Sequence, residues 1–170
     1  MNGLILGRFQ VFHKGHESLV NQALSVCDKV LILVGSSDKS NTKDNPFTYE
    51  TREKLIKEIF QDKVIVAPLP DLGVGDVNAW GDYVLENAKK YIDSIDIIFL
   101  GKEPKHELWY SEEIRKNTRF ISLDRADIPV SSTLVREAIL NNDKEFFFKY
   151  TNPKIHKYFE ELKEELKRVQ

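Results

Sequence analysis

The sequence has a single cysteine, Cys27, among its 170 residues. One thiol cannot form an intramolecular disulfide, so the fold must depend on its hydrophobic core. A chain of this length can bury a continuous core without disulfides or structural metals. The shortage of cysteine also favours a reducing compartment, and we expect a cytoplasmic protein.

Long apolar runs and an excess of either charge are also missing. The apolar stretch Leu4–Leu6 is too short for a signal peptide and lacks its basic flank. No stretch approaches the roughly 20 apolar residues of a membrane span. Lysine and arginine number 25 against 27 aspartates and glutamates, a net charge of −2. We therefore expect no membrane partner and no nucleic-acid partner, and any phosphate binding must come from a local cluster.

Apolar runs and helical patterns alternate along the chain. Short apolar runs predict strands, and apolar residues at helical spacing between them predict helices. We expect strands at 4–6, 30–34, 64–67, 95–100 and 120–123, and helices at 17–27, around 55–60, at 79–93 and at 105–116. Two more helical segments begin near Ser131 and after Asn152, a predicted N-cap followed by Pro153.

This alternation predicts an α/β fold over residues 1–170 as a single domain. We expect a Rossmann-like, doubly wound, mostly parallel sheet, with a C-terminal helical segment at about 131–168 packed on it. Ligands of such sheets lie beyond the carboxyl ends of the strands. Five segments follow the predicted strands and begin at Gly7, Gly35, Pro70, Gly101 and Leu123.

The segment Gly7–His16 is the first of these and has the composition of a phosphate site. Gly7 allows a tight turn and a close approach to a ligand. If a helix begins near Lys14, His16 lies in its first turn, where free backbone N–H groups and the helix dipole favour an anion. An isolated H-x-x-H pair could instead bind metal or lie on the surface. Structural zinc is disfavoured because one cysteine and four histidines provide no second ligand pair at suitable spacing.

A second phosphate motif is predicted at Ser131-Ser132-Thr133, one helical turn before Arg136. Hydroxyls at a helix start offer O–H donors beside the backbone N–H groups. Ordinary helix capping is the alternative reading. No Glu or Gln follows three residues after these hydroxyls, so a capping box is not predicted.

The two motifs resemble signatures of the nucleotidyltransferase superfamily. Gly7–His16 is similar to G-R-F-Q-P-x-H-x-G-H, the form found in archaeal-type nicotinamide mononucleotide (NMN) adenylyltransferases, with Val11 in place of the usual proline. Val130–Arg136 resembles the second signature, S-S/T-T-x-I/V/L-R. The resemblance implies the nucleotidyltransferase fold and transfer of AMP from ATP to NMN, which yields NAD and pyrophosphate. It also implies Mg²⁺ as a companion of ATP.

The resemblance assigns catalysis to His13, His16 and Arg136. The histidines would meet the α- and β-phosphates of ATP, and Arg136 with Ser132 and Thr133 would hold the β,γ-phosphates and the leaving group. Further ATP contacts are expected from Gly7, Arg8 (a second phosphate clamp), Phe9, Ser131 and the adenine-side Gly101. No dedicated set of metal ligands is predicted.

The acceptor site is expected at Asp71, Asn78 and Trp80. In the family, an aromatic ring stacks on the nicotinamide and an asparagine helps to hold the base. A cationic pyridinium favours an indole face, and a carboxamide needs amide-like partners. Core packing at the start of the predicted helix 79–93 is the alternative for Trp80.

Several expectations stay open. The acceptor could be nicotinate mononucleotide, phosphopantetheine or flavin mononucleotide, the donor could be a cytidylyl nucleotide, or the protein could be a non-catalytic nucleotide sensor. Assembly into a homo-oligomer is suggested by the resemblance. Lys39, Lys43 and Arg52 could contact phosphate or face solvent. Arg125 and Asp127 could border the adenine or belong to a plain loop. Phe146–Phe148 could belong to the core or to an oligomer contact.

Overall fold

The apolar runs form one sheet of five parallel strands in a computed structural model that describes residues 1–73, 77–101, 104–122 and 128–170. The strands are β1 (Asn2–Gly7), β2 (Lys29–Gly35), β3 (Ile65–Leu69), β4 (Ile97–Leu100) and β5 (Arg119–Ser122). Their order is β3-β2-β1-β4-β5, and every neighbouring pair is parallel. The expected parallel α/β sheet is confirmed.

Helices follow the strands and cover both faces of the sheet. They are α1 (Lys14–Val26), α2 (Tyr49–Phe60), α3 (Val77–Ala88), α4 (Glu112–Asn117), α5 (Ser132–Leu140), α6 (Lys144–Tyr150) and α7 (Phe159–Lys167). Short 3₁₀ turns occupy Gln61–Lys63, Pro104–Trp109 and Pro153–Tyr158. None of the helices in the described part of the chain is long and apolar enough to cross a membrane.

Three helical predictions differ from the structure. The helix expected at 105–116 is a 3₁₀ turn followed by α4, because Ser111 has extended backbone angles and its hydroxyl caps a new helix start at the Ile114 N–H. The helix expected at 79–93 ends at Ala88, after which the N–H groups of Lys90 and Tyr91 form i,i+3 turn hydrogen bonds. Asn152 is an N-cap as predicted, but it begins a 3₁₀ turn that leads into α7.

Alternate strand residues supply the two layers of the core. Ile5, Ile32 and Phe99 face a cluster that includes residues of α1, α2, α5 and α7. Leu4, Leu33 and Ile98 face the other cluster, which includes residues of α3. Burial on both faces explains why the strands are continuous apolar runs rather than alternating ones.

Strand β1 lies in the middle of the sheet, between β2 and β4. The chain moves from β1 outward to β2 and β3, then crosses back to add β4 and β5 on the other side. The direction of winding therefore reverses beside β1, and the crevice at its carboxyl end is where ligands of such sheets bind. Gly7, the last residue of β1, lies at this point.

Candidate active site

The turn after β1 is tight because the ring of Phe9 folds back over Gly7. A Cβ atom at Gly7 would lie 2.8 Å from Cζ of Phe9, too close for any other residue without movement of the ring. Phe9 adopts a left-handed backbone conformation (φ 54°), and its side chain is buried. The ring meets His16 edge-on, with 4.9 Å between centroids. Gly7 and Phe9 therefore shape the loop that carries the first motif.

The two histidines of this motif cap α1, which begins at Lys14, three residues before the predicted helix 17–27 and at the start that the phosphate reading of His16 requires. Nδ1 of His13 accepts a hydrogen bond from the Gly15 N–H at 3.0 Å, and Nδ1 of His16 accepts one from the His13 N–H at 3.2 Å. The pair thus forms a reciprocal capping box in which imidazoles take the places usually held by Ser or Thr and by Glu or Gln. The rings stack with centroids 3.7 Å apart.

This capping fixes the tautomer of both imidazoles. A ring nitrogen that accepts a hydrogen bond carries no proton, so the proton of each neutral ring lies on Nε2. His13 is buried and His16 is half-buried. Both rings lie at the N-terminal end of a helix, where the dipole favours an anion. The arrangement suits the donation of two Nε2–H hydrogen bonds to phosphate oxygens.

The second motif lies directly against the first. Ser131 caps α5, its hydroxyl accepting from the Leu134 N–H at 3.2 Å. Ser132 Oγ donates to the Val11 carbonyl at 3.3 Å, and Arg136 Nη1 donates to the Gln10 carbonyl. Residues more than 100 positions apart in the chain are therefore brought to one place.

The remaining ATP-side predictions lie around this place. Thr133 is exposed in the first turn of α5, and Gly101 is half-buried directly after β4, the strand beside β1. Arg8 is exposed just after β1, and its guanidinium forms no hydrogen bond or ion pair with any described residue. The positive charge of Arg8 helps to lower the pKa of two other arginines, Arg136 and Arg52. For Arg136, burial is the larger cause and the charge of Arg8 the second.

Arg52 has neither of its expected roles. Its side chain is fully buried, so it does not face solvent. Its five N–H donors all reach backbone carbonyls: Nε that of Thr48 at 3.2 Å, Nη1 those of Gly35 at 2.8 Å and Arg8 at 3.0 Å, and Nη2 those of Ser36 at 3.1 Å and Lys39 at 3.4 Å. A guanidinium has five N–H groups, so none remains for a phosphate. Burial, followed by the charge of Arg8, lowers the pKa of Arg52 to about 10.

Gln10 is a structural residue of the site that the motif alone did not reveal. Its buried amide donates to the Phe47 carbonyl at 3.2 Å and accepts from the Phe47 N–H at 3.0 Å. The loop after β1 is thereby joined to the segment that precedes α2. This role was hard to predict from the sequence, because a glutamine between two aromatic residues, Phe9 and Phe12, is equally typical of an exposed loop.

Of the expected acceptor residues, Asp71 lies beside the ends of β2 and β3, and the other two belong to α3. Asp71 Oδ1 accepts from Ser36 Oγ at 2.8 Å, and the Asp71 N–H donates to Asp38 Oδ1 at 2.9 Å. Asn78 is exposed in the first turn of α3. Trp80 is half-buried, with its ring centroid 5.5 Å from that of Tyr83 and 6.1 Å from that of Trp109.

Asp71 and the histidine pair have different hydrogen-bond partners. Asp71 bonds to Ser36 and Asp38, whereas the two histidines bond to the Gly15 and His13 N–H groups at the start of α1. The Trp80 ring packs partly against the core and keeps part of its surface exposed, so it combines features of both readings.

The weaker candidates are dispersed. Lys39 and Lys43 are exposed, and Lys39 Nζ lies 3.9 Å from Asp38. Arg125 and Asp127 lie outside the described residues. Phe147 is buried in the core, whereas Phe148 is exposed and stacks on His156 with 4.4 Å between centroids. Within the described ranges, no three His, Cys, Asp or Glu side chains are grouped so that they could hold a metal ion.

Comparison with known proteins identifies the family. The family model described as cytidylyltransferase-like matches residues 4–153. The chain belongs to the cytidylyltransferase-like family.

Two relatives named nicotinamide-nucleotide adenylyltransferase support the narrower resemblance to archaeal-type NMN adenylyltransferases. That of Saccharolobus solfataricus is 30% identical over 95% of this chain and 91% of its own. That of Methanococcus aeolicus is 32% identical over 84% of this chain and 80% of its own. The expected resemblance to archaeal-type NMN adenylyltransferases is confirmed.

Solved structures of the cytidylyltransferase-like fold agree with this assignment. A bifunctional NMN adenylyltransferase/ADP ribose pyrophosphatase from Francisella tularensis, complexed with AMP and a manganese ion, aligns with a TM-score of 0.68 and 28% identity. The match covers 82% of this chain and 41% of the bifunctional one. A putative nicotinate-nucleotide adenylyltransferase from Vibrio parahaemolyticus shares the fold, with a TM-score of 0.65 at 17% identity over 93% of this chain and 97% of its own.

Proposed function

We propose that this protein is a nicotinamide-nucleotide adenylyltransferase, which transfers AMP from ATP to NMN and forms NAD and pyrophosphate. One observation carries the proposal. Ser132 and Arg136 donate to the carbonyls of the loop whose histidines cap α1, so two phosphate-binding motifs face a single place at the end of β1. The names of the archaeal relatives support NMN as the acceptor.

The reaction needs positioning more than proton transfer. The 5′-phosphate of NMN is already an anion near neutral pH, so it can attack the α-phosphorus of ATP without a general base. The barrier lies in bringing two anions together in line and in stabilising the charge that grows on the departing pyrophosphate.

Each part of the site has a role in this scheme. Nε2–H groups of His13 and His16 donate to the α- and β-phosphates, while Arg136 and the hydroxyls of Ser132 and Thr133 hold the β,γ-phosphates. Arg8 is a second phosphate clamp. Mg²⁺ enters as part of the substrate MgATP, held by phosphate oxygens and water.

The acceptor is recognised by residues of α3 and of the segment after β3. Trp80 stacks on the pyridinium ring, Asn78 meets the carboxamide, and Asp71 is the third acceptor residue. The exposed part of the Trp80 ring and the exposure of Asn78 support this assignment.

Acceptor-dependent pyrophosphate release tests the function. The purified protein is given ATP and Mg²⁺ with NMN or nicotinate mononucleotide, and with phosphopantetheine and flavin mononucleotide as controls. We expect pyrophosphate and NAD to appear in step when NMN is supplied. Release only with another acceptor would replace the substrate but keep the chemistry. Nucleotide binding without release in every arm would make the protein a sensor.

A further inference from the structure

Arg52 connects every segment that meets at the ends of β1 and β2. Its five carbonyl partners belong to the residue after β1, the last residue of β2, the loop that follows β2 and the residue that caps α2. Two of them, the carbonyls of Arg8 and Gly35, share Nη1 and so link the neighbouring strands directly. The course of the backbone beneath the phosphate site depends on this one side chain.

The guanidinium has no anionic partner within the described ranges. No described carboxylate lies within ion-pair distance of it, although the side chain is fully buried. A pKa of about 10 leaves it charged at neutral pH. Burial of a charge without an ion pair is costly, and the five hydrogen bonds to carbonyls offset part of this cost. An apolar residue in its place would leave those carbonyls without their donor, so the buried charge and the course of the backbone are linked through this one side chain.

The buried charge also orients the peptide groups above it. In a trans peptide the C=O and N–H groups point in opposite directions. Because the carbonyls of Arg8 and Gly35 point at Arg52, the N–H groups of Phe9 and Ser36 point away from it. The negative ends of these dipoles face the guanidinium and the positive ends face outward, an orientation that favours an anion over the strand ends.

We propose that Arg52 is a positioning residue of the phosphate site: it fixes the backbone that carries Arg8 and places a positive charge beneath the phosphates without touching them. The inference rests on the proposed function for its catalytic part. Phosphate binding alone is enough to test its electrostatic part.

Two substitutions separate geometry from charge. Arg52→Met removes both, whereas Arg52→Lys keeps the charge but cannot reach five carbonyls. Lys57→Met, an exposed cation of the same helix, is the matched control. For each variant we would measure the folded fraction by circular dichroism, kcat per folded molecule, and the Kd for inorganic tripolyphosphate by calorimetry. Tripolyphosphate reports on the phosphate site without the adenosine or the acceptor.

The expected results differ between the variants. Arg52→Met should lower kcat per folded molecule by about 100-fold, since displacement of a phosphate clamp by an ångström has effects of this order, and should weaken tripolyphosphate binding about tenfold. Arg52→Lys should keep the affinity within about threefold but still lose at least about tenfold in kcat. Lys57→Met should match the wild type in both.

The contrary results are equally definite. Wild-type kcat and tripolyphosphate affinity in folded Arg52→Met would overturn the inference, as would losses fully explained by the unfolded fraction. If Arg52→Met does not fold, Arg52→Lys decides, and a wild-type kcat in that variant would overturn it. If the wild type transfers AMP to no acceptor, the proposed function fails, and tripolyphosphate binding by the variants still tests the positioning of phosphate.

Discussion

At the scale of the residue, each histidine of the first motif uses both ring nitrogens. Nδ1 caps α1, and under the proposed function Nε2–H donates a hydrogen bond to a phosphate oxygen. Capping and the proposed catalytic role therefore depend on different atoms of the same side chain, and a suitable substitution can remove one without the other.

His13→Asn and His16→Gln provide this separation. Asparagine is a favoured N-cap, and glutamine is a usual partner in a capping box, so both variants should keep α1 and melt close to the wild type. Asparagine is too short to place a donor where Nε2–H lies, and a glutamine whose oxygen takes the capping hydrogen bond carries its NH₂ on the same carbon, away from that position, so turnover should fall by about 10²–10³-fold. Steady-state kinetics and thermal denaturation check this, with His156→Gln as the control. Near-normal turnover in either variant would remove that histidine from the mechanism.

Trp80 offers a test of acceptor recognition. Trp80→Ala should raise the acceptor KM by about tenfold or more, since a stacked cation–aromatic contact is worth about 1–2 kcal/mol, and should leave the KM for ATP nearly unchanged. Trp80→Phe keeps an aromatic face and should lie between the two. Initial rates with each substrate varied in turn provide both constants. Equal effects of Trp80→Ala on both substrates would favour the core-packing reading.

At the scale of the element, the packing of α3 positions the two proposed acceptor residues that this helix carries. Gly81 lies against the 3₁₀ turn Pro104–Trp109, and a Cβ atom there would lie 2.1 Å from the Trp109 carbonyl oxygen. A backbone atom cannot yield as a flexible side chain does, so the helix itself would have to move. Asn78 and Trp80 belong to the same helix and would move with it.

Gly81→Ala should therefore affect both stability and the acceptor. We expect a loss of about 1–3 kcal/mol in the free energy of unfolding, which is usual for overpacking, and a higher acceptor KM at an unchanged ATP KM. Urea denaturation and steady-state kinetics measure these. Asp82→Ala, an exposed neighbour on α3, should change neither. A Gly81→Ala protein as stable as the wild type would show that this helix does not depend on the close contact.

The elements also show what sequence reasoning could and could not reach. The strands and the start of α5 near Ser131 were predicted because apolar runs, glycines and capping residues are short-range signals. Arg52 was misread because its five carbonyl partners come from segments that only the fold brings together. Its spacing was the available signal, since Arg52 lies three and four residues before the buried Leu55 and Ile56 and so shares their face of the helix.

At the scale of the whole molecule, a small net charge of −2 conceals a local concentration of cations. Burial first, and the charge of Arg8 second, lower the pKa of both Arg52 and Arg136, so Arg8 lies close enough to act on each of them. A polyanion that binds only the folded protein relieves this repulsion and shifts the folding equilibrium.

MgATP should accordingly raise the melting temperature. At 100 times its Kd a ligand adds about 2.7 kcal/mol, or very roughly 5–10 °C for a chain of this size. Arg136→Met should lose most of the shift, whereas Arg119→Met, at the opposite end of the sheet, should retain it. Differential scanning fluorimetry with and without MgATP provides the comparison. An Arg136→Met protein with the full shift would place the triphosphate elsewhere.

The three neighbouring arginines carry an evolutionary consequence. Because the repulsion of Arg8 with Arg52 and Arg136 is a cost in the empty protein and, under the proposed function, an advantage once the nucleotide is bound, selection for heat resistance and selection for turnover act on them in opposite directions. A laboratory screen that rewards thermal survival alone should replace one of them early, and the survivors should be robust but inactive. A screen that requires growth on the product should retain all three and find its stabilising changes elsewhere.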